Sequence, residues 1–209
     1  MSNQNESLSS LVTSGHYIAT NLSNNLQVGL DSFQVREQAD GLVVESKHRL
    51  FGAGMPVQNS IFALDSDWTP RRLDISAEGG LGASVDFGET ETNVVIKNAQ
   101  EEQRIRFPVG RRRAYFLMNG GLYFPMHLVR RFRFEDFAPQ LFDLVPTGSC
   151  QVRRLEDVEE GGERLRQLEM RFQVEAAEDV IRLFVNDRGD LTRYRTRNQN
   201  LLVQLDERE

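Results

Sequence analysis

The sequence predicts a mainly β (α+β) chain, a strongly curved antiparallel sheet or unclosed barrel of about ten to twelve strands wrapped over one or two short helices. Three observations predict it. Short runs of alternating apolar and polar residues follow one another along most of the 209 residues. Turn chemistry separates them at short intervals. One aromatic stretch near residues 120–137 breaks the alternation.

The strands follow in order. Phe33 and Val35 alternate with Gln34 and Arg36, and Ala39-Asp40-Gly41 makes a turn. Leu42, Val44, Ser46, His48 and Leu50 then share one face of a return strand. Asp-Gly is a strong hairpin signal because the turn needs positive φ. Leu73, Ile75 and Ala77 precede Gly79-Gly80, and Ala83, Val85 and Phe87 follow it. Val94 and Ile96 form the next strand. Residues 98–102 turn, and Ile105, Phe107 and Val109 alternate with arginines. Further on, Val152 lies in a short strand before an acidic turn over 156–162. Leu168, Met170, Phe172 and Val174 alternate with polar residues; so do Ile181, Leu183 and Val185. Asn186-Asp187-Arg188-Gly189 turns into a strand over 191–196, and Leu201, Val203 and Leu205 make the last. Period 2 with a polar partner face means one buried and one wet face.

Leu122, Met126, Val129 and Phe132 are spaced as on a helix, with Pro125 in its first turn where proline is tolerated. The spacing predicts an amphipathic helix over about 122–133. A sheet of so many twisted strands closes, splits or curls, and the aromatic helix is the candidate filler of its concave face. Residues 1–10 read as a disordered tail and 11–209 as one domain.

Composition narrows the function. The net charge of -6 argues against nucleic acid and against an anionic membrane surface. No run approaches the roughly 20 apolar residues of a membrane span, so stable membrane insertion is not expected. The start lacks the basic flank and apolar run of a signal peptide, which makes a cytoplasmic location the expectation. Cys150 is the lone cysteine, so no internal disulfide and no thiolate cage can form.

Catalytic and cofactor signals are missing, and no cofactor or metal is expected. His16, His48 and His127 are far apart and fall in no metal-ligand spacing. His48 sits in the apolar register of its strand and reads as a satisfied core histidine. Cys150 has no flanking histidine or helix start to activate it. Asp65 and Asp67 beside Trp68 read as a turn over 65–70 in preference to an acid/base pair.

The binding candidates are Phe62, Trp68, Phe87, Phe107, Phe116, Phe124, Met126 and Phe172 as an apolar lining, since aromatics bring the largest buried area. Arg111, Arg113 and Arg130 are the candidates for clamping an anionic headgroup at its rim. A solvated loop and helix face is the plainer reading of these arginines, and stacking on nucleic acid with Tyr115 and Phe116 the least favoured.

Two runs carry a family likeness. Ile61-Phe62-Ala63-Leu64-Asp65-Ser66-Asp67-Trp68-Thr69-Pro70-Arg71-Arg72-Leu73-Asp74-Ile75 has the shape apolar strand, Asp, aromatic, Pro/Arg, apolar strand. Ile181-Arg182-Leu183-Phe184-Val185-Asn186-Asp187-Arg188-Gly189-Asp190-Leu191 has the shape strand, Asp-x-Gly turn, strand. Together they resemble the LolA-like proteins, which include glycolipid-binding proteins and the lipoprotein carrier. The resemblance implies an unclosed antiparallel barrel over an apolar cavity, with helices as a lid, and a lipid or glycolipid ligand.

Noncatalytic binding of such a ligand in the concave face is therefore the expected function. The alternatives are an interaction module with a filled core, pairing with a protein partner or a second copy through a sheet edge, and an enzyme using the same cavity.

Overall fold

A computed structural model describes residues 10–52, 57–116, 124–131, 140–145, 147–175, 177–196 and 200–208. In chain order the strands are β1 (Ser10–Asn21), β2 (Leu26–Gln38), β3 (Gly41–Leu50), β4 (Gln58–Leu64), β5 (Pro70–Ala77), β6 (Gly82–Phe87), β7 (Thr92–Lys97), β8 (Glu102–Phe107) and β9 (Ala114–Phe116). Helix α1 (Phe124–Arg131) follows. Then come β10 (Gln140–Val145), β11 (Ser149–Arg154), β12 (Val158–Glu160), β13 (Glu163–Val174), β14 (Ala177–Val185), β15 (Leu191–Thr196) and β16 (Leu201–Arg208).

All sixteen strands belong to one unclosed sheet, so the expected fold class holds while the expected strand number was too low. The additions have physical reasons. β1 is rich in small polar residues and hides its alternation, and β9 and β12 have three residues each. β12 lies inside the predicted 156–162 turn, paired with β13. Of the predicted tail, Ser10 is the first residue of β1 and the rest lies outside the described residues. Helix α1 lies within its predicted 122–133, and the flanking positions are outside the described residues. Pro125 sits in its first turn as expected.

The strands run β8-β7-β6-β5-β4-β3-β2-β1-β16-β15-β14-β13-β11-β10-β9 across the sheet. Neighbours in sequence mostly pair antiparallel, with exceptions, one of them β11, which pairs with β13 past the short β12. β1 pairs with β16, joining the two ends of the chain. β9 and β10, with α1 between them in sequence, pair in parallel.

The connection from β8 to β9 forces the curl. These two strands are opposite edges of the sheet, which laid flat would measure about 65 Å at about 4.8 Å per strand. The chain between Phe107 and Ala114 spans at most about 25 Å even when fully extended. The edges are therefore drawn toward each other, and loop contacts hold them. Arg111 N–H donates to the Gly88 carbonyl at 2.8 Å, and the Thr92 hydroxyl to that of Val109 at 2.8 Å.

The concave face carries two apolar rows, beside the buried polar Asp31, Ser46, His48 and Ser60. One register row crosses β2 to β7 as Val35, Val44, Phe62, Leu73, Val85 and Val94, each at most 2% exposed. Burying six such side chains contributes on the order of 10 kcal/mol. A second row, Ala19, Val203, Tyr194, Leu183 and Leu168, crosses from β1 to β13. The first row depends on a tight turn at its start. Gly41 has φ +138°, and a Cβ there would lie 2.2 Å from the Leu64 carbonyl oxygen, so only glycine lets β3 leave the hairpin this close to β4.

Candidate functional site

Helix α1 lies against the concave face, and the predicted aromatics meet around it. The ring of Phe62 is 6.3 Å from Phe87 and 5.1 Å edge-on from His127. Tyr115 stacks on His127 at 5.7 Å and reaches Phe172 at 6.0 Å. Phe62, Phe87 and Phe172 are buried, and Trp68 and Phe107 pack partly buried against the same cluster. Sequence reading missed His127 and Tyr115 as members, since neither stands in a strand with clear alternation. The side chains of Phe116, Phe124 and Met126 lie outside the described residues.

The space beside Arg130, Asp190, Tyr17 and Phe33 amounts to about 10 Å³, room for about one water.

The predicted arginines are engaged. Arg111 reaches Asp65 at 2.6 Å and Glu89 at 2.5 Å, and Arg113 reaches Asp143 at 2.9 Å. Arg130 pairs with buried Asp190 and lies 5.9 Å over the ring of Trp68. Burial holds the Arg130 guanidinium pKa below its ordinary value. These pairs fasten loops and helix to strands. Trp68 itself has φ +66° in the 65–69 turn, which Asp65 N–H closes on the Thr69 carbonyl at 2.9 Å.

Two of the groups weighed for catalysis have shifted ionisation. Cys150 is fully buried and its thiol is pushed up to about 12 by burial. Burial opposes the charge of Asp67, but hydrogen bonds from Thr69, with Arg131 and Arg112 nearby, keep its carboxyl below the usual range. No group of three or more His, Cys, Asp or Glu among the described residues suits a metal. His48 corrects one expectation. It is buried in the core as predicted, but neither ring nitrogen has a hydrogen-bond partner, and burial lowers its pKa to about 4.

An open hollow of about 460 Å³ lies elsewhere, across β1 to β4. It is lined by residues 14–16, 32–34, 45–47 and 59–61. Gln34, Glu45 and Ile61 share one register, and His16, Ser32, Lys47 and Asn59 another. Their side chains alternate with buried Phe33, Val44 and Phe62, so they stand on the outer face. Continuous strands separate this hollow from the aromatic interior. Sequence reading passed it over because polar residues on an outer face look like ordinary solvated surface. What marks it is two outward rows at matching register, Ser14-Gln34-Glu45-Ile61 and His16-Ser32-Lys47-Asn59, with the short side chains of Ser14 and Ser32 leaving room between them.

The fold has a solved counterpart. A crystal structure of a beta-barrel-like protein of a domain of unknown function, DUF1849, from Brucella abortus superposes with a TM-score of 0.61. The match covers 94% of this chain and 96% of that one at 8% identity. At that identity the likeness concerns the fold, a curved β sheet, alone. No family model matches the chain, and no curated protein matches its sequence. No helix among the described residues is long and apolar enough to cross a membrane.

Proposed function

We propose that this chain is a noncatalytic binding protein for an amphipathic ligand, a lipid or glycolipid, taken on the concave face of its sheet. The observation that carries the reading is that face, whose apolar cluster runs from Val94 on β7 to Phe172 on β13, in a sheet that does not close. An unclosed sheet can widen without breaking a strand pair, whereas a closed barrel cannot. The LolA-like resemblance supports the same division between sheet and helical lid. Helix α1 packs on this face through His127 against Phe62 and Tyr115, so an acyl chain taken there displaces the helix as it enters.

Trp68 is the single tryptophan and lies against Arg130 of that helix, so its emission reports the movement. Native mass spectrometry of protein purified from cells is expected to show bound lipid. Titration with a fluorescent fatty acid is expected to shift Trp68 emission. No copurified lipid, together with an unbound probe and unchanged emission, rules the reading out.

The close ring packing of Phe62, His127, Tyr115 and Phe172 favours a second reading, an interaction module whose partner meets a surface other than β8. The free strand β8 carries Glu102, Arg104 and Arg106, and charges along an edge oppose strand-to-strand pairing. Capture of a defined protein partner by a chain free of lipid would select this reading.

A further inference from the structure

The outer hollow on β1–β4 is built unlike the rest of the surface. Across the described residues the charged side chains mostly pair. Of the two lysines in the chain, Lys97 meets Glu102 at 3.0 Å. Lys47 has no ion-pair partner among the described residues, nor has Glu45, two positions away on the same face of the same strand. Both stand exposed at the hollow.

Around them are the amides of Gln34 and Asn59, the hydroxyl of Ser32 and the imidazole of His16. Nδ1 of His16 is enclosed and makes no hydrogen bond. The backbone of β1–β4 between the two rows of outward side chains forms the floor, so the polar groups rim a depression of about 460 Å³. That lies within the roughly 300–1,000 Å³ typical of small-molecule sites.

The charges decide the ligand class. The Glu45 carboxylate and the Lys47 ammonium offset each other. An anion entering would face Glu45, and a cation would face Lys47. The lining is dense in both donors and acceptors, which suits a molecule carrying many hydroxyls, each able to donate and accept. Ile61, half exposed at the margin, offers an apolar surface to the C–H face of a ring.

From this we propose that the hollow is a binding site for a neutral saccharide. It is separate from the concave face and does not depend on the lipid reading, because the strands divide the two places.

The test uses the full chain, isotope-labelled, titrated with neutral mono- and disaccharides, inorganic phosphate and choline, and followed by amide NMR. At least one saccharide is expected to shift the amides of residues 14–16, 32–34, 45–47 and 59–61 in a saturable way. Gln34→Ala and Asn59→Ala, both surface changes, are each expected to weaken that binding about five- to tenfold. Thermal melts of both variants should match the parent, which separates lost binding from lost folding. The proposal is overturned if no saccharide shifts these amides at millimolar concentration, if the shifts map elsewhere, or if phosphate or choline binds there in place of the sugars. A lipid found inside the protein leaves each of these outcomes unchanged.

Discussion

Both ring nitrogens of His48 are buried without a partner, and this sets how the molecule responds to acid. Burial lowers its pKa from 6.5 to about 4. Between those values the unfolded chain takes up a proton that the folded chain refuses. Stability therefore falls as pH drops from 6.5 to 4, by up to about 3 kcal/mol, and this loss is absent above 6.5. Carboxylates held below their usual range, such as Asp74 with Arg72, lose their contribution at lower pH still. His48→Leu removes the effect. Urea unfolding from pH 7 to 4 is expected to show the variant gaining on the parent as the pH falls. Parallel curves would show that His48 does not titrate in this window. The sequence placed His48 on the apolar face correctly. Its lack of partners was not legible there, because the neighbours Asp31 and Gln58 come beside it only through the register of β2 and β4.

At the scale of elements, helix α1 is tied to the start of β15 by Arg130 and Asp190. Asp190 is 5% exposed and also accepts from the Asn186 side chain at 3.3 Å. Breaking such a pair leaves a buried charge uncompensated. Arg130→Ala is therefore expected to cost about 2–4 kcal/mol, toward the low end because the arginine keeps some access to water. Replacing both residues by apolar ones, Arg130→Met with Asp190→Leu, should recover much of that loss. Urea unfolding of the two singles and the double measures the coupling, and purely additive losses would mean the pair does not hold the helix. The sequence showed both parts, an amphipathic helix carrying Arg130 and a turn at 186–189. It did not show that they meet, since 60 residues separate the partners and alternation says which face a residue takes but not what it faces. The same limit made Arg130 look like a ligand clamp. The strands missed were those whose burial comes from tertiary contact, such as β1, with Ser14 and Gly15 buried in a stretch of weak hydrophobic pattern.

Across the whole molecule, stability rests on the seam between β1 and β16. Hairpins are local and can be read from turns, and most of the sheet follows from them. The seam joins residues from opposite ends of the chain, as in Ala19 with Val203, and no local signal announces it. It lies near the middle of the strand order, with β2 to β8 on one side and β15 to β9 on the other. Closing it requires contacts across almost the full chain length, which places the protein among slow-folding, high-contact-order topologies. Deleting residues 201–209 would turn the interior strands β1 and β15 into free edges. Exposed edges of long strands template pairing with other chains. β8, the natural edge, is short and charged and does not invite this. The truncated chain is therefore expected to lose its single cooperative melting transition and to elute as aggregate. Arg104→Ala on β8 should change stability by no more than about 0.5 kcal/mol and remain unaggregated. Size-exclusion chromatography and calorimetry of the two proteins decide the matter. A truncated monomer that melts cooperatively at the parent temperature would mean that the two halves of the sheet stand without their seam.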